Sequence, residues 1–315
     1  MGGANGDAAE KQEEEGRRKF AVLLCAEDSE YMQKSYGGYF KVFVRLLGEE
    51  GETWHVYRAA HGELPTADEA DAYDGFVITG SCNDAEGDDP WIQGLVVFLK
   101  ALDVKKKKVL GVCFGHQSIV DLIVEGVRSA LDLIVGGVTS ALLIDVNAQA
   151  ETESRSRNTF SFPLAAENCV VLILSRALGG KTGRAKKGWD IGVTCIHPSR
   201  TIIDMQSPLD IPSHLPVIEF HRDEVWQLPP QAEVLAWSDK TGIEMFRYED
   251  HILGIQGHPE YNKDIFLHLV DRLLQRNLIQ TCHAEKAKRS IDTHELDREA
   301  WKRLCKGFLK GNLSW

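Results

Sequence analysis

"KKVLGVCFGHQ" (107–117) decides how the rest of this chain reads. Val109, Leu110 and Val112 form a short apolar run with strand-like residues. Gly111 and Gly115 then bracket Cys113, and an apolar segment begins after Gln117. That pattern predicts a buried strand turning sharply into a helix, with a thiol at the bend. A thiol there has two advantages: the glycines let the turn be tight, and the free N–H groups of the following helix favour a thiolate. The same geometry serves serine nucleophiles in the GxSxG elbow. Free cysteine is also among the most buried residue types, so Cys113 by itself fits a packing role equally well.

Outward from the elbow, strands and helices alternate. "KFAVLLCAED" (19–28), "ETWHVYRAA" (52–60) and "YDGFVITGSCNDA" (73–85) read as strands. "YGGYFKVFVRLLGEEG" (36–51) and "PWIQGLVVFLKALDVKKKK" (90–108) carry apolar residues at helical spacing. Alternation of this kind predicts an α/β fold, a doubly wound, mostly parallel sheet with helices on both faces. Further on come short strands between 188 and 261 and a helix over 263–279. The tail from 281 to 315 is amphipathic, with anchors at Leu296, Trp301, Leu304 and Phe308. Residues 1–18 are polar and acidic and read as a disordered tail.

Composition narrows the functional classes. The chain has 315 residues, 43% hydrophobic and 26% charged, with a net charge of −11. That charge repels phosphates and argues against nucleic-acid or anionic-membrane binding. The longest apolar run, Leu133 to Ile144, is shorter than the roughly 20 residues a membrane span needs. Seven cysteines include no CxxC pair, so a structural zinc site of that kind has no support. Their odd number and the lack of an apolar leader lead us to expect a cytosolic protein.

Two further motifs bear on Cys113. In "GIQGHPEY" (254–261) an apolar strand ends at Gly257, and His258 is followed two residues later by Glu260. Such a pair can present an imidazole to a thiol while the carboxylate orients the other ring nitrogen. An isolated HPE is more often a surface His beside a surface Glu, but the elbow Cys changes that balance. In "VITGSCNDA" (77–85), the turn at Gly80 and Ser81 offers backbone N–H groups. Together with the N–H of Phe114 they form a candidate oxyanion hole, each such donor being worth about 2.7–4 kcal/mol in a transition state.

"GVCFGHQ", "FHRDEVWQLP" and "GIQGHPEY" together resemble the class I glutamine amidotransferase superfamily, whose fold is flavodoxin-like. "VITGSCNDAEGDDPWI", "GGKTGRAKKGWDIGV" and "DREAWKRLCKGFLK" resemble its plant γ-glutamyl peptidase branch more closely. The resemblance covers roughly 19–117 and 174–311, and it implies one amidotransferase-type domain over 19–280 with a C-terminal helical extension over 281–315. It implies a cysteine hydrolase that cleaves the γ-glutamyl bond of glutathione or its S-conjugates in sulfur-metabolite (glucosinolate) pathways. Cys113 would be the nucleophile, His258 the acid–base and Glu260 its orienter. Ser81, Phe114 and Gly80 would build the oxyanion hole. Gln117 would touch the glutamyl α-groups, with His221 and Asp223 bordering the substrate. No metal or cofactor is implied, and the expected partner is a small-molecule γ-glutamyl substrate. A glutaminase subunit feeding a synthase, or an inert binding protein, are the alternatives.

One segment departs from that pattern. "SRALGG", which the resemblance places a few residues after Gln117, begins here at Ser175. The extra stretch, near 118–173, reads as a retained intron or gene-model error, a true helical insertion, or the mark of a degraded enzyme.

Overall fold

A computed structural model describes residues 17–81, 89–113, 170–204 and 209–313. The chain divides into two units, Met1–His116 with Glu167–Trp315, and Gln117–Ala166. Every described residue belongs to the first. Phe114, Gln117, the tail before residue 17 and most of the extra segment lie outside the described residues.

Among these residues nine strands form one sheet, in the order β2-β1-β3-β4-β11-β10-β9-β6-β7. β1 (Lys19–Leu23), β2 (Thr53–Tyr57), β3 (Gly75–Ile78), β4 (Lys108–Val112) and β11 (Ile252–Ile255) run parallel. β6 (Asp190–Pro198), β7 (Leu215–His221), β9 (Ala232–Ser238) and β10 (Gly242–Tyr248) extend the sheet antiparallel. β5 (Lys181–Arg184) and β8 (Asp223–Gln227) make a separate ribbon.

Strand alternation splits the core into layers. Ala21, Leu23, Phe76, Ile78, Val109 and Cys113 face α4 (Pro90–Val104) and α5 (Val170–Ala177). Phe20, Val22, Val77, Leu110 and Val112 face α2 (Tyr39–Leu47) and α9 (Arg298–Leu309). Both faces of β1, β3, β4 and β11 are therefore covered, which is why they read as near-continuous apolar runs, whereas β2 at the sheet edge is partly exposed. The family-type fold expected from the sequence is the one observed.

Local chemistry sets several boundaries. The helix expected over 36–51 is α2 alone, preceded by a separate α1 (Glu30–Tyr36). Gly37 and Gly38 adopt φ of 74° and 96°, a left-handed path that ends α1 and redirects the chain before Tyr39. Thr66 and Glu69 form a capping box on α3 (Ala67–Asp71). The last residues of the extra segment are helical: α5 starts at Val170, and Ile173 and Leu174 are buried in the same core layer as Cys113. After α6 (Arg200–Ile203) and α7 (Lys263–Gln275), the tail carries two helices, α8 (Thr281–Thr293) and α9, which pack into the core. Trp301 is 2% exposed, and its indole N–H donates to the Pro216 carbonyl at 2.8 Å.

Candidate active site

Parallel register assembles the site. Ile78 pairs with Gly111 and Ile255 pairs with Val112, so the residues just beyond these strands emerge side by side. Gly80, Cys113 and Gln256 are therefore neighbours at the carboxyl ends of β3, β4 and β11. Ligand sites in open α/β sheets form at that edge. The Cys113 N–H donates to the Ile255 carbonyl at 3.1 Å, which continues the ladder one residue past the strand.

Gly80 is required by contact rather than by its dihedrals. A Cβ at this position would sit 2.2 Å from the Cys113 carbonyl oxygen and 3.5 Å from Cε1 of His258. The same point thus touches both the thiol-bearing residue and the imidazole. Only a residue without a side chain lets the β3 turn, the end of β4 and the histidine come this close. Ser81, next in the chain, is buried at 1% exposure.

His258 is fixed from several sides. Its N–H donates to the Ile218 carbonyl at 2.7 Å, and its ring stacks on Tyr261 at 3.9 Å and 5°. Nδ1 lies 2.8 Å from Glu260 Oε1. Facing a carboxylate, Nδ1 carries the proton, which leaves Nε2 as the basic nitrogen. Nε2 is buried and has no hydrogen-bond partner among the described residues. Tyr39 donates its hydroxyl to the same Glu260 oxygen. Burial, reinforced by the Glu260 carboxylate, holds the Tyr39 phenol far above its ordinary range, so it remains a donor. Burial likewise raises the Cys305 thiol, which packs near Glu260, and keeps it uncharged.

Sequence reading did not single out Tyr39, Gln256 or Tyr261. The Gln256 side-chain amide lies 3.6 Å from the Cys113 sulfur and is fully buried. Its position two residues before His258 on the same strand end was the available signal, legible only once β11 is known to run parallel to β4. Trp91 packs against the core layer that contains Cys113. Trp226 and Trp237, which by size read as core or docking anchors, are 55% and 44% exposed and so lie outside the core.

The structure places His221 and Asp223 away from solvent, each 1% exposed. The Asp223 carboxylate pairs with Arg184 Nε at 2.8 Å across the β5–β8 ribbon. His221 points Nδ1 at the Asp223 carbonyl, 2.9 Å away, and Nε2 at Glu219 Oε2, 3.2 Å away. Glu219, His221 and Glu244 bring one potential ligand atom each within 4.8 Å of one another. Burial, then the Glu219 charge, pushes the Glu244 carboxyl well above the usual carboxylate range.

A cysteine at the carboxyl end of β4, close to a turn that also approaches a histidine held by a carboxylate, is the arrangement expected of an amidotransferase-type cysteine hydrolase. The family description "Glutamine amidotransferase class-I" matches residues 32–161 and 171–269. Gamma-glutamyl peptidase 5 of Arabidopsis thaliana is 40% identical over 94% of this chain and 96% of its own length. Gamma-glutamyl peptidase 3 of the same plant is 38% identical over 94% and 98%. A glutamine amidotransferase from Thermotoga maritima shares the fold with a TM-score of 0.56 at 16% identity, covering 93% of this chain and 98% of its own. One from Methylobacillus flagellatus does so with 0.55 at 15%, covering 95% of each. This chain belongs to the class I glutamine amidotransferase family, in the branch of the Arabidopsis γ-glutamyl peptidases.

Among the described residues no helix is long and apolar enough to cross a membrane.

Proposed function

We propose that this protein is a γ-glutamyl peptidase acting on glutathione or glutathione S-conjugates through Cys113, His258 and Glu260. The observation that carries this reading is the His258 ring. It is stacked, tethered through Nδ1 to Glu260, free at Nε2 among the described residues, and close to Gly80, where an added Cβ would lie 3.5 Å from its Cε1 and 2.2 Å from the Cys113 carbonyl oxygen. The relatives named γ-glutamyl peptidases support the choice of bond.

In this reading Nε2 of His258 takes the Cys113 thiol proton, and the sulfur adds to the γ-carbonyl carbon. Backbone N–H groups at Ser81 and Phe114 hold the oxyanion, with Gly80 giving the space. The C–N bond then breaks, His258 returns its proton to the leaving amine, and a γ-glutamyl thioester remains. Water, deprotonated by the same nitrogen, attacks the thioester; glutamate leaves and the thiol regains its proton. Glu260 keeps Nδ1 protonated and steadies the imidazolium, while Gln256 donates its amide N–H toward the sulfur. Gln117 holds the glutamyl α-groups; the buried His221 and Asp223 act behind the substrate surface.

Glutamate release from glutathione S-conjugates and from glutamine, measured on the full chain, tests this. Faster turnover of the conjugates is expected. A clear preference for glutamine makes the protein a glutaminase instead. A variant lacking residues 118–169, which keeps α5 whole, shows what the extra segment does to the rate.

A further inference from the structure

We propose that Glu219, His221 and Glu244 form a binding site for one divalent transition-metal ion of the zinc type. The site lies under the turn that carries His258 and is separate from the thiol chemistry; the sequence motifs for zinc did not point to it. Glu219 and His221 lie on β7 and Glu244 on β10, and all three are 0–1% exposed. Their ligand atoms converge within 4.8 Å.

Three features point to a metal ion. First, His221 gives its Nδ1 proton to the Asp223 carbonyl, which leaves Nε2 as the nitrogen directed at the carboxylates, with the Thr241 hydroxyl 3.5 Å away. Metal-ligating histidines are oriented in this way by a hydrogen bond on their other nitrogen. Second, the 3.2 Å between His221 Nε2 and Glu219 Oε2 approaches the edge of a tetrahedron with metal–ligand distances of about 2.0–2.1 Å. Third, Ser238 donates its hydroxyl to Glu244 Oε1 at 2.5 Å, whereas Glu244 Oε2 is buried with no hydrogen-bond partner among the described residues. A buried carboxylate oxygen needs a cation or a proton. One imidazole and two carboxylates neutralise a divalent ion and suit zinc better than magnesium or calcium, which favour all-oxygen shells.

The placement gives the ion a structural consequence. A Cβ on Gly257 would lie 2.6 Å from Glu219 Oε1, and the Gln256 N–H donates to the Glu244 carbonyl at 2.7 Å. An ion joining β7 to β10 would therefore brace residues 256–258 from below.

The test uses the untagged full-length chain, expressed with added zinc and passed over a desalting column. Elemental analysis should find about one zinc per chain. A chelator should lower the melting temperature, and zinc, not magnesium, should restore it. Glu244→Gln should cut zinc retention at least about tenfold. Should that variant fail to fold, the cobalt-loaded native chain decides. Visible d–d bands without a sulfur-to-cobalt charge-transfer band support the site; a charge-transfer band puts the ion on a cysteine and overturns it. Zinc well below one per chain with no thermal response also overturns it and leaves a proton as the neutralising group. So does undiminished zinc in a folded Glu244→Gln variant. None of these readouts involves γ-glutamyl hydrolysis.

Discussion

His258 and His221 are both buried, and each directs Nδ1 at an oxygen of the residue two positions further along the chain. For His258 that oxygen belongs to a carboxylate; for His221 it belongs to a backbone carbonyl. The difference is chemical. A carboxylate stabilises the imidazolium, so His258 can accept a proton and return it. A carbonyl fixes the tautomer without adding a charge, and the other nitrogen of His221 already faces Glu219. Under the proposed function the first ring exchanges a proton beside Cys113, whereas the second lies between buried carboxylates of two strands. Identical i, i+2 spacing in the sequence produced two different devices.

The contrast can be broken by removing each ring's partners in turn. Cys113→Ser or His258→Ala should lower kcat for γ-glutamyl hydrolysis by on the order of 10⁴–10⁶-fold, with the melting curve little changed. If His221→Ala does the same in a fully folded protein, the division of roles collapses. Glu260→Gln should cost up to about 10⁴-fold in kcat, because the wrong tautomer then faces the thiol.

His221→Ala should act on stability. It leaves Glu219 and Glu244 buried without the imidazole beside them, a loss of about 1–3 kcal/mol that urea titration would read. Gly80→Ala tests the convergence itself. A Cβ 2.2 Å from the Cys113 carbonyl oxygen must push the β3 turn or the end of β4 aside. We expect about 1–3 kcal/mol of destabilisation and a kcat loss of roughly 10²-fold from the displaced geometry. Full activity in Gly80→Ala would mean that the three strand ends are not where catalysis happens.

Two smaller effects sharpen the picture through pH. Tyr39→Phe removes a hydroxyl from the Glu260 oxygen that His258 also uses, which leaves that oxygen a stronger acceptor for the imidazolium. The acid limb of kcat/KM should move to higher pH, with a rate change under about tenfold. His251 is held below its ordinary value because burial outweighs the Asp103 carboxylate at 2.8 Å. As pH falls from neutrality the unfolded chain takes up this proton first, so stability drops through the ordinary histidine range. A His251→Gln variant should show a flatter melting temperature between neutral and mildly acidic pH.

Much of the fold was legible because the parallel strands are buried on both faces and announce themselves as apolar runs around Val22, Val77 and Leu110. The candidate triad was legible for a related reason: the elbow, the Gly80–Ser81 turn and the His258–Glu260 pair each sit directly after such a run. Other features were not legible. The break at Gly37–Gly38 reads as one helix from periodicity alone, since only the dihedrals show the chain reversing there. Tyr39 lies far from Glu260 in sequence and meets it only when α2 packs behind the sheet. Trp301 appeared as an anchor of an appended helix, yet it is a core residue that reaches β7.

The sequence by itself determined where most strands lie, and that a thiol, an imidazole and a carboxylate follow two of them. Side-chain type and local periodicity are properties of neighbouring residues, so no packing is needed to read them. Only the tertiary structure decided that β11 lies parallel to β4, that Gln256 therefore faces the sulfur, and that Glu219 and Glu244 share His221. Strand register joins residues more than a hundred positions apart, and nothing in either segment alone specifies it.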